Sequence, residues 1–335
     1  MNKRIEDIDI LKGIAILLMI LDHCFGWGQG IFLHSVIQSF HMPLFFIVGG
    51  YLWKTKGNCI EFIRHKIRTI LVPHFNFAVI YSFVFVCLSA LHKMNAVEGA
   101  KSILALFVFP TRLDLTMFAS PLWFLQAFFL TEIAFTIIKE KYEENYGWII
   151  LIIAMLGIIY SKIFSFMLPF AIEPFSTGIL FFYIGFKLKN VKIIKIEGKK
   201  CWLLIPLIVI WLVLVYLNGC VDMRSARYYN PILYICNGVL GTIIFWNISS
   251  LISRYFYLLN VMFRHFSTYS ITYLCTHYIF VFYGKGFFHD NLELPDTVMK
   301  IILYICVILI CWILNRIIMK YIPWIVGKAS LKLYC

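Results

Sequence analysis

The sequence has few charged residues, since Asp, Glu, Lys and Arg together make up only 14% of its 335 residues. It also has no segment long enough for a soluble domain, because the longest segment between apolar runs is 92–119. No internal repeat or low-complexity tract indicates two fused units. With 61% hydrophobic residues and a mean hydropathy of +0.85, the composition excludes an ordinary soluble protein and indicates an integral membrane protein.

The ten cysteines form neither a Cys-x-x-Cys motif nor any other metal-like spacing. The sequence therefore predicts no disulfide framework and no metal site, and we interpret the cysteines as small apolar packing residues. A cleaved signal peptide is not expected either. Acidic residues precede the first apolar run, and charged residues interrupt it.

Ten apolar runs are long enough for a helix to cross a hydrocarbon core of about 30 Å. They cover residues 10–26, 32–53, 71–91, 120–138, 147–165, 168–188, 202–218, 231–252, 266–284 and 301–321. We therefore expect an all-α polytopic membrane protein, a bundle of about ten transmembrane helices that forms one domain over residues 1–335. A shorter apolar stretch, 102–110, is expected to lie at the membrane interface or to re-enter the membrane.

The basic residues predict the orientation of these helices, because Lys and Arg are retained on the cytoplasmic side. When residues at span ends are counted with the adjacent segment, 20 basic residues fall on the side of the N-terminus and 8 on the other side. Both termini are therefore predicted to be cytoplasmic. The net charge of +13 is explained by topology and by attraction to the lipid bilayer, and nucleic acid is not an expected partner.

The first apolar run carries three ionisable side chains, Lys12, Asp22 and His23. Lys12 and His23 are eleven residues apart, which is about three helical turns, so both lie on one face about 16 Å apart along the axis. Asp9 precedes Lys12 by three residues and is expected to contact its ammonium group. Ionisable groups inside a membrane usually face the bundle interior and indicate a functional path.

Two further histidines, His41 and His277, are expected at a depth similar to that of His23. Each lies near the middle of its own apolar run. One membrane histidine often serves only as an interhelical hydrogen-bonding residue, but three at one depth favour a function. A histidine titrates near neutral pH and accepts a proton from a hydroxyl, and a cation at the membrane surface binds an anionic carrier. This combination suits acyl transfer to an alcohol.

Four stretches in order carry a resemblance to a known family. They are DIDILKGIAILLMILDHCFG from residue 7, SFHMPLFFIVGGYLW from residue 39, FIRHKIRTILVPHF from residue 62 and SPLWFLQAFFL from residue 120. Together they resemble the membrane acyltransferase-3 family, and within it the fucose-4-O-acetylase-like branch that acts on bacterial surface sugars. The resemblance covers most of the chain, and the family also has ten spans.

The resemblance implies an O-acetyltransferase of the bacterial cytoplasmic (inner) membrane. The acyl donor would be cytoplasmic acetyl-CoA, and the acceptor a hydroxyl of a surface polysaccharide or of a lipid-linked glycan precursor. The family motif of a basic residue followed eleven positions later by a histidine matches Lys12 and His23, with Lys in place of the usual Arg. His23 is thus implied to act either as general base or as acyl carrier, and the sequence leaves both routes open.

The remaining residues receive roles from their position and chemistry. We expect Asp22 and His41 to assist His23 in catalysis. Arg64, Lys66 and Arg68 form a basic segment on the donor side and are expected, with Lys12, to bind the phosphates of coenzyme A, although topological anchoring explains them equally well. The predicted acceptor-binding residues are Trp123, Glu132 and His277, and Glu132 is expected to pair with a histidine or with Arg316.

Two other functions would also use many spans with buried charges. A transporter or flippase of lipid-linked sugars would show inverted repeats and broken helices in matching halves, which the sequence lacks. A polysaccharide polymerase would be expected to have a large outer loop, and no segment here is long enough.

Overall fold

The computed structural model describes residues 6–26, 32–54, 58–164, 166–191, 198–291 and 294–328. Within these ranges the chain is helical and has no β-strand, only an isolated bridge between Asp222 and Arg227. The predicted all-α polytopic fold class is confirmed. The α-helices are α1 (Glu6–Phe25), α2 (Phe32–Leu52), α3 (Cys59–Lys66), α4 (Val72–Ala90), α5 (Ala96–Val108), α6 (Leu113–Thr116), α7 (Trp123–Lys141), α8 (Tyr146–Ile163), α9 (Ile172–Leu188), α10 (Leu204–Asn218), α11 (Pro231–Tyr255), α12 (Tyr257–Thr268), α13 (Ser270–Asn291) and α14 (Asp296–Tyr321).

Eight helical segments of the described chain are long and apolar enough to cross a membrane, and they correspond to eight of the ten predicted runs. They are Phe32–Leu52, Cys59–Ala90, Leu113–Lys141, Tyr146–Ile163, Pro169–Leu188, Cys201–Asn218, Pro231–Tyr255 and Asp296–Tyr321. The other two runs form most of α1 and α13, which have 20 and 22 residues but carry more polar side chains.

Three boundaries differ from the prediction. The ninth run, 266–284, crosses a break at Tyr269, so its helix begins only at Ser270. The third run does not begin a separate helix, because α3 continues into α4 through a π-helix at Ile67–Leu71. The stretch at 102–110 belongs to α5, whose 13 residues are too few to cross the hydrocarbon core, as expected.

The π-helix between α3 and α4 has a local cause. Pro73 lacks a backbone N–H and cannot donate to the carbonyl four residues earlier, so the regular α-helical ladder is interrupted just before it. In the same segment the Thr69 hydroxyl donates to the carbonyl of His65 at 2.9 Å. Such π-helical turns occur frequently at functional sites.

The chain divides into two compact units, and the first consists of Met1–Lys54 and Thr177–Ser270. Its core is a cluster of buried residues from α1, α2, α10 and α11. Phe40 lies at the centre, with its ring stacked on Phe245 at 4.5 Å and edge-on to Trp211 at 5.3 Å. The Trp211 indole N–H donates to the carbonyl of Asn237 at 3.2 Å, so its polar group is satisfied.

Helices α2 and α9 approach so closely in this unit that only glycine fits at their contact. A Cβ on Gly50 would lie 1.9 Å from the carbonyl oxygen of Phe182, and a Cβ on Gly185 would lie 1.9 Å from that of Ile47. Small residues at helix contacts let backbones approach and pack in membrane proteins, where the hydrophobic effect does not drive helices together. This contact holds α2, which carries His41, against α9.

The second unit consists of Thr55–Ser176 and Ile271–Cys335. Its core centres on the fully buried Phe118, whose ring stacks on Phe85 at 4.7 Å and meets Tyr81 edge-on at 5.6 Å. The Tyr81 hydroxyl donates to the carbonyl of Cys275 on α13, so the polar tip of this buried ring is satisfied.

Large apolar side chains cover the outside of the spanning helices. Phe83 and Trp148 are each 70% exposed, and Met155 is 60% exposed. Such surfaces suit a lipid environment, in which helices satisfy their own backbone hydrogen bonds. Some polar side chains of the two units are instead buried, among them His41, Glu132 and His277.

Candidate active site

Helix α1 carries the predicted cation, Lys12, near its N-terminal end. The Lys12 ammonium lies 3.3 Å from a carboxylate oxygen of Asp9, so the predicted contact between these residues is confirmed. The same oxygen of Asp9 accepts a hydrogen bond from the Ser267 hydroxyl on α12 at 3.1 Å. The Lys12 side chain is 26% exposed, which leaves part of it accessible to a ligand.

His23 lies in the last turn of α1 and is half-buried. Because α1 is one continuous helix from Glu6 to Phe25, Lys12 and His23 lie on one side of it, about 16 Å apart along its axis. Their assignment to the donor and to catalysis stays a prediction.

Asp22 contacts two side chains of α2. One of its carboxylate oxygens lies 2.6 Å from Nδ1 of His34, and the other accepts a hydrogen bond from the Gln38 side chain at 2.6 Å. Both partners belong to α2, which packs antiparallel against α1. Asp22 therefore holds His34 in place, and the expected assistance of Asp22 to His23 stays a prediction.

The Asp22–His34 pair requires glycine at position 26. A Cβ on Gly26 would lie 2.7 Å from Nδ1 of His34 and 2.6 Å from the carbonyl oxygen of Asp22. Both distances are too short for a real contact, so any larger residue would displace the pair. The Gly26 amide also donates to the Asp22 carbonyl, which fixes the end of α1.

Cys220 is exposed and lies in the loop between α10 and α11. It is therefore not the apolar packing residue that the sequence analysis expected.

The loop that carries Cys220 is held by its own hydrogen bonds. Asn218 accepts from the Asn230 amide at 3.0 Å, and Asp222 and Arg227 exchange two backbone hydrogen bonds of 2.9 Å. The Asp222 carboxylate accepts from the Arg224 guanidinium at 2.9 Å. Burial raises the pKa of Asp222, but the nearby Arg224 charge and hydrogen bonds from Arg224 and Ser225 outweigh it, so the pKa is lowered overall.

The contact between Asp22 and α2 also fixes the depth of His41. His41 follows His34 by seven residues, so it lies about 10 Å farther along α2, on the side of Lys12. His23, next to Asp22, is level with His34 instead, and the prediction that His23 and His41 share one depth was wrong. His41 is buried, and its Nδ1–H donates to the Ile37 carbonyl at 2.8 Å, which leaves Nε2 as the proton acceptor.

In the second unit, Glu132 on α7 pairs with Lys66 at the end of α3. The Lys66 ammonium lies 2.6 Å from one carboxylate oxygen, with the Lys66 and Glu132 side chains 21% and 5% exposed. Glu132 therefore pairs neither with a histidine nor with Arg316. Arg316 instead lies over the ring of Trp312, at 4.6 Å from its centre.

Arg64 and Arg68, the other two cations predicted to bind the donor, are exposed. Arg64 lies in the last turn of α3 and Arg68 in the π-helix that follows.

The predicted acceptor residues are more enclosed. Trp123 is 7% exposed, and its ring meets that of Phe124 edge-on at 6.0 Å. His277 is fully buried. Its Nδ1–H is directed at the carbonyls of Tyr273 and Leu274, at 2.8 and 3.1 Å. Their roles stay predictions.

A buried contact between His74 and Gln126 was not predicted from the sequence. The Gln126 side-chain amide donates to the Phe107 carbonyl at 2.9 Å and lies 2.8 Å from Nε2 of His74. His34 and Gln38 were missed as well, although their spacing of four residues at the start of an apolar run places both on one helix face. Among the described residues, no group of three or more His, Cys, Asp or Glu side chains is arranged to hold a metal.

Comparison with known proteins gives the family directly. A family model described as an acyltransferase domain, acyltransferase 3, matches residues 5–316. No curated protein and no solved structure matches the chain. The matched range covers nearly the whole sequence and includes helices α1 to α13 and most of α14. The chain therefore belongs to the acyltransferase-3 family and is a membrane acyltransferase.

Proposed function

We propose that this acyltransferase moves an acetyl group from acetyl-CoA to a sugar hydroxyl of a surface polysaccharide or of a lipid-linked glycan precursor. The observation that carries the proposal is the arrangement on α1, where a partly exposed Lys12 and a half-buried His23 share one side of a single helix. The four matching stretches of sequence favour the fucose-4-O-acetylase-like branch of the family. The enzyme would act in a bacterial inner membrane, with both termini cytoplasmic.

The donor is assigned by charge. Lys12 supplies a cation for a phosphate of coenzyme A, and its contact with Asp9 holds the ammonium in place. In the second unit, Arg64 and Arg68 are exposed guanidinium groups that suit bidentate phosphate binding. Lys66 has its charge balanced by Glu132, so we assign it a smaller part in donor binding than the sequence analysis did.

The chemistry at His23 follows one of two routes. As a general base, its imidazole takes the proton of the acceptor hydroxyl while the oxygen attacks the thioester carbonyl and the bond to sulfur breaks. As an acyl carrier, its imidazole displaces coenzyme A and then passes the acetyl group to the hydroxyl. His41, with Nε2 free of its own proton, is a second acceptor on the path between Lys12 and Asp22.

The acceptor is assigned to polar residues buried within membrane helices. His277 and Glu132 are such residues, and groups of this kind inside a membrane typically mark a substrate path. Trp123 is a weaker candidate for stacking on a sugar ring, because little of its indole is exposed.

The test supplies radiolabelled acetyl-CoA to inside-out membrane vesicles that contain the protein. Label arriving on a glycan supports the proposal, whereas movement of unmodified solute without label supports a carrier. His23→Asn should abolish transfer, and Lys12→Ala should raise the KM for acetyl-CoA about tenfold or more, because a charge-assisted contact contributes about 1.5–3 kcal/mol. The control is His92→Asn, the same change at an exposed turn. Normal turnover by His23→Asn would remove His23 from the mechanism.

A further inference from the structure

His74 on α4 and Gln126 on α7 form a buried polar pair in the second unit. His74 is fully buried and Gln126 is 6% exposed, although both lie in helical segments apolar enough to cross a membrane. The Gln126 amide nitrogen lies 2.8 Å from Nε2 of His74 and donates to the Phe107 carbonyl at 2.9 Å. Such a pair is either a structural bond between helices or part of a binding site, and its remaining polar atoms distinguish the two.

The contacts of Gln126 determine which atom of each group carries a proton. The Phe107 carbonyl only accepts, so the Gln126 atom that faces it is the amide nitrogen. This carbonyl belongs to the last turn of α5, where the final carbonyls have no donor within the helix. The second hydrogen of the same nitrogen is left for Nε2 of His74. Nε2 therefore accepts, and the proton of the neutral imidazole lies on Nδ1.

Two atoms of the pair remain open. Nδ1 of His74, a donor, and Oε1 of Gln126, an acceptor, are buried and have no hydrogen-bond partner among the described residues. They belong to the two groups joined by the 2.8 Å contact, so they are close neighbours. A buried polar atom without a partner costs free energy. A purely structural bond between helices does not explain why one donor and one acceptor stay open.

One donor beside one acceptor is the complement of a hydroxyl group, which both accepts and donates. Neighbouring hydroxyls of a sugar ring offer the same two functions. The reacting carbonyl of acetyl-CoA only accepts, so it would leave Oε1 of Gln126 open. Trp123 precedes Gln126 by three residues, so the two side chains lie on one face of α7. An aromatic ring beside a few placed polar groups is typical of a site that orients a small ligand.

We propose that His74 and Gln126 form a binding subsite for the sugar acceptor. Nδ1–H of His74 donates to an acceptor hydroxyl, and Oε1 of Gln126 accepts from that hydroxyl or from its neighbour. The inference rests on the proposed transfer to a sugar and adds two acceptor-binding residues. The last turn of α5 contacts the pair, and its Phe107 ring stacks on Phe75 at 5.8 Å. Because α5 is too short to cross the membrane, we expect this turn to shift when the sugar enters.

Two variants of His74 separate the open nitrogen from the bonded one. In His74→Gln the side-chain amide reaches the position of Nε2 and still accepts from Gln126, but the donor at Nδ1 is lost. In His74→Asn the shorter amide reaches only the position of Nδ1, so a donor is kept and the contact with Gln126 is lost. Acceptor binding makes the first variant the poorer in glycan use, whereas a structural role makes the second the poorer.

The experiment uses the full-length protein in detergent, so that both of its faces are accessible. The donor is radiolabelled acetyl-CoA, and the probe is the surface glycan fraction of the bacterium that produces the protein, stripped of O-acetyl groups with mild alkali. His74→Gln should raise the KM for the glycan about tenfold and leave the KM for acetyl-CoA and the free energy of unfolding unchanged. His74→Asn should lower the free energy of unfolding and raise the KM for the glycan by less than about threefold.

A second variant tests the other open atom. Gln126→Met removes the acceptor Oε1 and should raise the KM for the glycan, at some cost in stability, which keeps the test valid if His74→Gln does not fold. The control is His92→Gln, the same change at an exposed turn, which should alter none of these values.

Three results would overturn the inference. An unchanged KM for the glycan in His74→Gln would leave the pair as a structural contact or the site of a bound water. A rise in the KM for acetyl-CoA in place of that for the glycan would assign the pair to an amide of the pantetheine arm. Both results leave the proposed function standing. A wild-type protein that places no label on the glycan would overturn the inference and the proposed function together.

Discussion

The ion pair between Lys66 and Glu132 joins α3 to α7, and its removal has calculable effects on stability. At 2.6 Å and an effective dielectric constant of about 20, the attraction between the two charges is about 6 kcal/mol. Taking two ions out of water costs several kcal/mol for each, so the pair is expected to contribute little net stability compared with two apolar side chains.

Replacing Lys66 and replacing Glu132 should lower the stability of the protein by different amounts. Lys66→Met leaves Glu132, 5% exposed, without a cation, and Oε2 of Glu132 already has no hydrogen-bond partner, so we expect a loss of about 3–5 kcal/mol. Glu132→Met leaves Lys66, which is 21% exposed and can extend its ammonium toward water, so a loss of about 2 kcal/mol is expected. The double variant should lose about 1 kcal/mol or less.

The measurement is a double-mutant cycle by unfolding in detergent micelles. The expected coupling between the two sites is about 4–6 kcal/mol, and Lys101→Met, an exposed cation on α5, should change stability by less than about 0.5 kcal/mol. If the cost of the double variant equalled the sum of the single costs, the reasoning would fail. The double variant should raise the KM for acetyl-CoA less than Arg64→Met does, because Lys66 has the smaller part in donor binding.

Three further outcomes are expected. Gly26→Ala should displace the Asp22–His34 pair and abolish acyl transfer in a folded protein, whereas Gly286→Ala, where a Cβ would meet nothing within 4 Å, should leave transfer intact. Gly50→Ala should lower the free energy of unfolding by about 3 kcal/mol, measured in the same micelles, because of the contact with α9. Since the pKa of Asp222 is lowered in the folded state, its contribution to loop stability is present above its unfolded pKa of about 3.9 and is lost as the pH falls through the lower folded value. The protection of residues 219–230 against hydrogen exchange, taken relative to the intrinsic rate at each pH, should therefore fall at acid pH, and Asp222→Asn should remove that dependence; unchanged protection in the wild type would contradict it.

The features that the sequence predicted are those encoded locally. The lengths of the apolar runs predicted the positions of the helices, because a helix requires about 20 apolar residues to cross a membrane. The Asp9–Lys12 contact followed from a spacing of three residues on one helix. In both cases the deciding residues are neighbours in the chain.

The contacts that the sequence did not predict depend on which helices adjoin and at what register. Glu132 was expected to meet a histidine or Arg316, but the packing of α7 against α3 brings it to Lys66. The partner of Asp22 required the register of α1 against α2, which a mainly apolar surface does not specify.

The Lys66–Glu132 contact also sets an order for membrane insertion during synthesis. The two residues are 66 positions apart. At roughly 5–20 residues per second, Glu132 is translated about 3–13 seconds after Lys66. Lys66 lies outside the predicted span 71–91, so its ammonium can remain in contact with water and lipid headgroups until then. Glu132 lies within the predicted span 120–138, where a lone charge is costly, so we expect α7 to enter the membrane with its cation already in place and to dock on α3 as it inserts.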